Sequence, residues 1–251
     1  LNKISKFVIF TDNYDYFCLV EEADILSEQL VSIYNSNTYD KIHSLIINLE
    51  KNQIIMNVYF YNTQLLITMS NGIIYNYDYK YKLMNTEITS NDSNFINSYF
   101  SKNNKYLILL YINKIVLINE FDKTYMTYPK NNKNLILSGN ISTSKDNNLI
   151  SIINNNQILI LQIYKSNNIE KVCIIDFPDK TKILSSNFNP KINQILLINT
   201  NLKSYLYYLE KTDSSFVYHT HLIDKLNDAK YEFSSNDSLL ISAKNRSINI
   251  Y

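Results

Sequence analysis

The chain has 251 residues and 29.5 kDa, 45% of them hydrophobic with 22 Tyr and 11 Phe, and a formal net charge of +1. That length is enough to bury a sizeable core. Lysines dispersed without a basic run exclude the footprint of a dedicated nucleic-acid binder, and only two glycines, Gly72 and Gly139, exclude phosphate-cradling loops built from several of them.

Cys18 and Cys173 are too few and too far apart for a disulfide scaffold and read as buried thiols in a reducing compartment. No stretch approaches 18 consecutive apolar residues and the N-terminal residues lack a signal-peptide pattern. The expectation is an intracellular protein, cytoplasmic or nuclear, with no membrane span in this segment. Charged residues make up only 19%, and the missing polarity comes from 38 Asn, a residue suited to turns and poor in helix interiors.

In chain order, KISKFVIF at residues 3 to 10 is a strand-like run. Residues 14 to 49 form an irregular first unit in which FCLV, QLVSIY and HSLIINL are the strands, and EEADILSEQL at 21 to 30 reads as a polar excursion or one short helical turn. From there a pattern repeats: an aromatic, a few Ser or Asn, an apolar run, a tight Asn turn, an alternating run. It occurs in YFYNTQLLITMSNGIIYNYD from Tyr59, YFSKNNKYLILLYINKIVLINEF from Tyr99, STSKDNNLISIINNNQILILQIY from Ser142, NFNPKINQILLINTNLKSYLYYLE from Asn187, and again at the end of the chain. The anchors Phe60, Phe100, Thr143, Phe188 and Phe233 are 40, 43, 45 and 45 residues apart.

Each unit holds apolar runs of strand length, rich in Ile, Leu, Val and Tyr. In the unit anchored at Phe100 the strands are predicted at 94–100, 105–110, 114–119 and 123–128. Asn71-Gly72 predicts a type I′ hairpin turn, with positive φ at both positions. Asn113, Asn156, Asn201 and Asn245 recur near the same turn of their units.

Four-stranded units of this length bury both faces by stacking radially. The predicted fold class is therefore all-β: a β-propeller of four-stranded antiparallel blades, about six of them, or a fragment of a seven-bladed or tandem propeller, since no initiator Met stands at Leu1. A single domain over 1–251 is expected, with blades at approximately 14–49, 53–88, 94–128, 135–176, 182–222 and 228–251. The last of these has three strands, at 228–234, 238–243 and 246–251, and residues 3–10 are expected to supply its fourth and close the ring.

The units resemble the WD40-repeat family in degenerate form. That family places Gly-His before the innermost strand, an aromatic and Ser-Pro-Asp-Gly after it, an Asp between the second and third strands, and Trp-Asp at the end of the third. Phe188-Asn189-Pro190, Phe233-Ser234-Ser235-Asn236 and Phe100-Ser101-Lys102-Asn103 match the part after the innermost strand. Tyr77-Asp78 stands at the Trp-Asp position, with Asn119-Glu120 and Leu209-Glu210 as weaker versions and Tyr251 on the Trp position of the last unit. The chain departs from the family in having no Trp and no Gly-His, with Ser90-Asn91 in that place. The usual His–Asp–Trp tetrad cannot be assembled from these residues. The resemblance, which covers residues 53 to 251, implies a surface for docking proteins.

Candidate chemistry is sparse. His219 and His221 lie two apart, so a strand puts both on one face, where they can begin a metal site or decorate an outer strand. His43 reads as a surface residue, and Asp176 and Asp179 as a turn or a carboxylate pair. Cys173 reads as core. Glu21-Glu22 and the Lys-Asp clusters at 145–146 and 179–182 read as solvated loops. Tyr75, Tyr77, Tyr79 and Tyr81 alternate so as to place four rings on one side, for core packing between blades or as anchors for a partner. No residue is assigned a catalytic, cofactor-binding or metal-binding role and no cofactor is expected. The predicted function is a non-catalytic scaffold for protein–protein interaction within a multiprotein assembly. The alternatives are an RNA-associated propeller in a ribonucleoprotein or ribosome-maturation complex, and an enzyme with a site in the central channel.

Overall fold

The computed structural model describes residues 5–11, 15–22, 28–50, 53–61, 64–88, 94–101, 105–119, 123–129, 140–164, 168–211, 218–226, 230–234, 240–244 and 247–250. These form antiparallel sheets in which each strand pairs with the next in sequence. The first sheet is β1 (Ser5–Phe10), β2 (Tyr16–Glu22), β3 (Glu28–Asn35) and β4 (Lys41–Asn48). The second is β5 (Ile55–Tyr61), β6 (Gln64–Met69), β7 (Ile74–Asp78) and β8 (Leu83–Ile88), and the third is β9 (Phe95–Phe100), β10 (Tyr106–Tyr111), β11 (Ile115–Asn119) and β12 (Tyr125–Tyr128). The fourth comprises β13 (Ile141–Thr143), β14 (Leu149–Asn154), β15 (Gln157–Tyr164) and β16 (Asn168–Asp176); the fifth, β17 (Ile183–Phe188), β18 (Ile195–Thr200), β19 (Ser204–Lys211) and β20 (Tyr218–Leu226). The last described sheet has three strands, β21 (Lys230–Phe233), β22 (Leu240–Lys244) and β23 (Ser247–Ile250). The chain divides into two compact units, Leu1–Ser98 and Tyr99–Tyr251, the division falling inside β9.

Among the described residues, the run expected at 3–10 is not paired with the last sheet. Its described part is β1, which pairs with β2 in the register Val8↔Leu19, Ile9↔Cys18 and Phe10↔Phe17, and so opens the first sheet. The physical reason is the loop that follows. Thr11 N–H donates to the Tyr16 carbonyl (2.9 Å), and Tyr16 N–H donates back to Thr11 Oγ1 (3.1 Å). The same lock follows Phe100, where Ser101 and Tyr106 exchange both bonds at 2.9 Å. It recurs after Thr143, where Leu149 N–H donates to Ser144 Oγ (3.0 Å), and after Phe188, where Asn189 Oδ1 accepts from the N–H groups of Lys191 and Ile192. Phe10-Thr11 is thus a further copy of the aromatic-Ser/Asn motif, standing 50 residues before Phe60. A side-chain oxygen that satisfies loop N–H groups lets the chain reverse without glycine.

A second recurring device ends the third strand. Asn35 Oδ1 accepts from Asn37 and Thr38 N–H (2.9 and 3.1 Å), and Asp78 Oδ1 from Lys80 and Tyr81 N–H (3.0 and 3.1 Å). Asn119 holds the corresponding loop through its backbone, accepting from Lys123 N–H at 2.8 Å. The fourth residue after each, Tyr39, Lys82 and Lys123, has positive φ of 54–60°. The Tyr77-Asp78 dipeptide read from the sequence therefore works through its acid as a loop clamp, and Tyr34-Asn35 is an equivalent that the sequence reading passed over.

The turn at Asn71-Gly72 is not type I′. Gly72 alone is left-handed (φ 84°), Gly72 N–H donates to the Met69 carbonyl (2.9 Å) and Met69 N–H to that of Ile73 (2.8 Å). This is a three-residue loop in which a type I turn is followed by a left-handed glycine. Ser70 supplies the extra residue; its Oγ accepts from Ile54 N–H at 3.2 Å. Asn113, Asn156 and Asn201 do lie in the second-to-third-strand turns; Asn245 lies outside the described residues, as do Ser90-Asn91 and Tyr251.

Glu21-Glu22 belongs to β2, in register with Leu30 and Gln29, and not to a loop. Pairing of the long β2 and β3 arms carries both glutamates into the ladder.

The continuous apolar runs are explained by burial of both faces. In β18, Leu196 and Ile198 pack against the fourth sheet, while Leu197 packs against Tyr231 of the last. In the first unit, Cys18, Val20, Val31 and Ile33 meet Val58, Leu65, Ile67 and Met69 of the second sheet. Each such aliphatic side chain contributes about 1.5–3 kcal/mol when fully buried. Polar pairs are set into these seams. Ser98 Oγ donates to Thr68 Oγ1 (2.9 Å), Ser151 Oγ meets Ser186 Oγ (3.1 Å), and Gln29 Oε1 accepts from Ile55 N–H (2.8 Å). Asn57 Nδ2 donates to Asn97 Oδ1 and to the Ser98 carbonyl, which also accepts from the Tyr59 hydroxyl.

Asn199 makes four such bonds through its side chain. Its Nδ2 donates to Ser185 Oγ and the Tyr231 carbonyl (both 2.9 Å), and its Oδ1 accepts from Ser204 Oγ (2.6 Å) and Tyr231 N–H (3.2 Å). The two bonds to Tyr231 bridge the fifth and last described sheets, and those to Ser185 and Ser204 hold the amide in place within the fifth, in a chain that cannot assemble a His–Asp–Trp tetrad.

Candidate ligand-binding cavity

Within the second unit, the connection between β16 and β17 is the sequence DFPDKTK, where Pro interrupts the ladder and the chain must turn. Thr181 N–H closes that turn on the Pro178 carbonyl (2.8 Å). Hairpin turns pin it at both ends. Phe177 N–H donates to the Asn156 carbonyl (3.0 Å) while Asn156 Nδ2 donates to the Phe177 carbonyl (2.8 Å). Lys182 N–H donates to Asn201 Oδ1 and Asn201 N–H to the Lys182 carbonyl, both at 2.9 Å.

The pinned connection walls a cavity of about 680 Å³, lined by Asn140, Ile153, Asn155, Asn156, Asp179, Thr181, Lys182, Ile183 and Leu184. Ile153 and Ile183 are core residues shared by the fourth and fifth sheets, and Leu184 is 37% exposed. Asn155 holds positive φ (56°) at the tip of the β14–β15 turn. Asn140 is fixed by its carbonyl, which accepts from Ile153 N–H (3.2 Å). Its Oδ1 is buried and without a hydrogen-bond partner among the described residues. Asp179 and Lys182 stand exposed at the rim, a carboxylate and an ammonium.

The residues singled out in the sequence disperse. His219 and His221 lie on β20 opposite Glu210 and Tyr208, on one face as their spacing requires; their side chains lie outside the described set. Among the described residues no group of three or more His, Cys, Asp or Glu could hold a metal ion. Asp176 and Asp179 take separate places: Asp176 accepts from Gln157 Nε2 (2.6 Å), whereas Asp179 is at the cavity rim. Cys173 packs against the core of the second unit, and Cys18 is buried in that of the first. Burial pushes both thiols up to about 12.

His43 lies at the surface on the outer strand β4 and is partly covered there. It follows Cys18 and Ile33 across the first sheet, is half-buried, and its ring lies 6.5 Å from that of Tyr79. The four tyrosines do not share a side, because β7 ends at Asp78. Tyr75 and Tyr77 pack between the first and second sheets, Tyr79 sits among Tyr16, His43 and Phe60 at 6.3–6.5 Å, and Tyr81 is exposed with Lys80 over its ring at 5.4 Å. Burial first, then the neighbouring Tyr16 and Asp78, raises the Tyr79 hydroxyl above its ordinary value. Lys145 and Asp146 do lie in an exposed loop, which Asp146 organises by accepting from Ser144 Oγ (2.6 Å) and Asn148 N–H (3.1 Å).

No protein-family model matches the chain. No curated protein matches it in sequence either. In shape it is similar to a chain of the "Crystal Structure of Mitotic Checkpoint Complex", with a TM-score of 0.67 at 10% identity over 99% of this chain and 74% of that one. The fold is a β-propeller. Each four-stranded sheet is a blade, and the cavity lies where the fourth and fifth blades adjoin. As many as 1222 solved chains match, so the likeness defines an architecture shared by many proteins and selects no activity. Sequence reasoning missed the cavity; its one local sign was the Pro-interrupted DFPDKTK, which marks a turn but not a hollow.

Among the described residues, no helix is long and apolar enough to cross a membrane.

Proposed function

We propose that this protein is a non-catalytic scaffold, a single propeller domain that docks protein partners inside the cell within a larger assembly. The observation that carries this reading is the pre-formed cavity between two blades, whose walls are fixed by reciprocal hydrogen bonds before any partner arrives. A site fixed in advance binds without the ordering cost that weakens flexible surfaces. Fold-level analogy supports it: the similar chain comes from a structure of a multiprotein complex.

Cross-linking mass spectrometry on the full-length protein, gently extracted from its own cells, tests the proposal. The expected result is reproducible links to a fixed set of proteins. Recovery of the protein alone overturns the scaffold reading and directs attention to His219 and His221.

A further inference from the structure

We propose that a second copy of this chain docks on the first sheet, at the face turned away from the second sheet, so that the first sheets of two copies pack face to face with their strands reversed. The inference goes beyond the scaffold reading and does not depend on it.

One position sets the first sheet apart from the others. Two residues before each anchor, in the first strand, stand Val8, Val58, Ser98, Ile141, Ser186 and Tyr231. Val58, Ser98 and Ser186 are 0% exposed, Tyr231 5% and Ile141 8%, whereas Val8 is 48% exposed. The neighbour across the ladder repeats the contrast. Ile67, Ile152 and Ile198, in register with Val58, Ile141 and Ser186, are fully buried, while Leu19, in register with Val8, is only half-buried. The buried copies lie under the sheet that precedes their own: Val58 packs with residues of the first sheet, Ser98 bonds to Thr68, Ser186 to Ser151, and the Tyr231 main chain to Asn199. The first sheet presents the same receiving face with Val8 uncovered.

Alternation along β2 and β3 puts Phe17, Leu30 and Tyr34 on the face of Val8 and Leu19. Leu30 carries that face on to Ile46 of β4, which is 57% exposed. Phe17 stacks on Tyr34 with ring centroids 5.1 Å apart, and Tyr39, 74% exposed, meets Phe17 edge-on at 6.4 Å. Between them the small Ser32 is buried. A continuous apolar face of this kind marks an interaction site. Its strands, six to eight residues long and about 4.8 Å apart, outline an area suited to a weak, reversible dimer.

Charge decides the occupant. Among the described side chains on this face, the cation is Lys41, at the end where β4 begins, with its Nζ 5.7 Å from the centre of the Tyr34 ring. Glu21, in register with Leu30, and Glu28, two residues before Leu30 on β3, lie at the opposite end. A partner of one net sign would match one end and be repelled at the other. The same face turned end for end matches at both, because Lys41 of each copy then lies over the Glu28 end of its mate, and a two-fold contact makes that pairing twice.

The test is sedimentation velocity of the full-length chain from about 1 μM to about 1 mM, the range in which small interfaces associate. A monomer–dimer equilibrium is expected. Val8→Lys should weaken it about tenfold or more, and Leu202→Lys, at a leucine 59% exposed in the β18–β19 turn, should leave it unchanged. Lys41→Glu and Glu28→Lys should each abolish self-association, and an equimolar mixture of the two should restore the dimer, since each then offers the other the sign it lacks. Val8 and Lys41 are exposed and Glu28 half-buried, so the variants keep the fold, which their thermal midpoints verify. The inference is overturned if the native chain is monomeric throughout the range, if Val8→Lys associates as tightly as the native chain, or if the mixture associates no better than its components. A monomer whose Val8→Cys thiol is shielded from maleimide would show the face covered from within its own chain, and one whose thiol reacts would leave it to a different protein. Either result rules out the second copy.

Discussion

Replacement of Asn199 by Ala removes four hydrogen bonds from a side chain that is 3% exposed and lies on the seam between the fifth and last described sheets. At about 1 kcal/mol net for each bond, the direct loss is about 4 kcal/mol. The Tyr231 N–H and carbonyl contribute most of it, since both lose the amide that ties them to the fifth sheet in a place that water reaches poorly, whereas the Ser185 and Ser204 hydroxyls can rotate to other partners. An overall destabilisation of about 3–5 kcal/mol is expected, a large share of the 5–15 kcal/mol that holds a typical domain together. Equilibrium urea unfolding measures it, and hydrogen exchange at the Tyr231 amide localises it. Asn85→Ala, on an exposed stretch of β8, is the control and should shift stability by no more than about 0.5 kcal/mol. Asn199→Asp sharpens the test. A carboxylate there can still accept from Tyr231 N–H and Ser204, but it meets the Tyr231 carbonyl without a proton to offer. Burial raises the folded-state pKa of such an acid above the unfolded value of about 3.9. That variant should therefore be most stable at low pH and lose stability as pH rises through the folded pKa. If Asn199→Ala costs less than about 1 kcal/mol, or the Tyr231 amide keeps its protection, the seam is not held by this side chain and the reasoning fails.

Gly72→Val places a β-branched residue at φ 84° and should cost more than about 1 kcal/mol, while Gly72→Asn should cost clearly less; equal thermal midpoints for the two would refute the left-handed assignment. Ser144→Ala removes the acceptor for Leu149 N–H and the donor to Asp146, and should destabilise by about 1–2 kcal/mol, read by urea unfolding; a neutral variant would show that the loop after β13 needs no lock. Cys18 and Cys173 should resist iodoacetamide at pH 8 until denaturant is added, because burial holds both thiols protonated up to about 12. The same shift raises the folded pKa above the ordinary 9.0. Its stabilisation is complete below that pH and is lost between it and about 12, so the urea midpoint should fall across that window and fall less in a double Cys→Ser variant.

The blades were legible because their signals are local. Phe60, Phe100, Thr143, Phe188 and Phe233 each mark the end or near-end of a first strand, and the predicted strands at 94–100, 105–110, 114–119 and 123–128 differ by only one or two residues from β9 to β12. The first blade was misread because Phe10-Thr11 stands farther from the next anchor than any other pair, and because a run at the start of a chain invites a closing role that its own loop lock contradicts. The cavity and the Asn199 hub were not legible. Asn140 and Thr181, or Asn199 and Tyr231, meet only through the packing of one sheet on the next, and no periodicity within a strand reports which polar residue will face a neighbour.

The seams between sheets also set a rule for rearranging them. Ser98 meets Thr68, and Ser186 meets Ser151, hydroxyl to hydroxyl, so each of those joints requires a matching residue on both sides. Asn199 instead grips the main chain of Tyr231, which any residue but proline would present at that position. A sheet duplicated or exchanged behind Asn199 would find its docking partner intact whatever its sequence, whereas one inserted behind Thr68 or Ser151 would be accepted only if it brought a hydroxyl of its own. Repeats in this chain are free to diverge at joints of the Asn199 kind and bound to vary in pairs where hydroxyl meets hydroxyl.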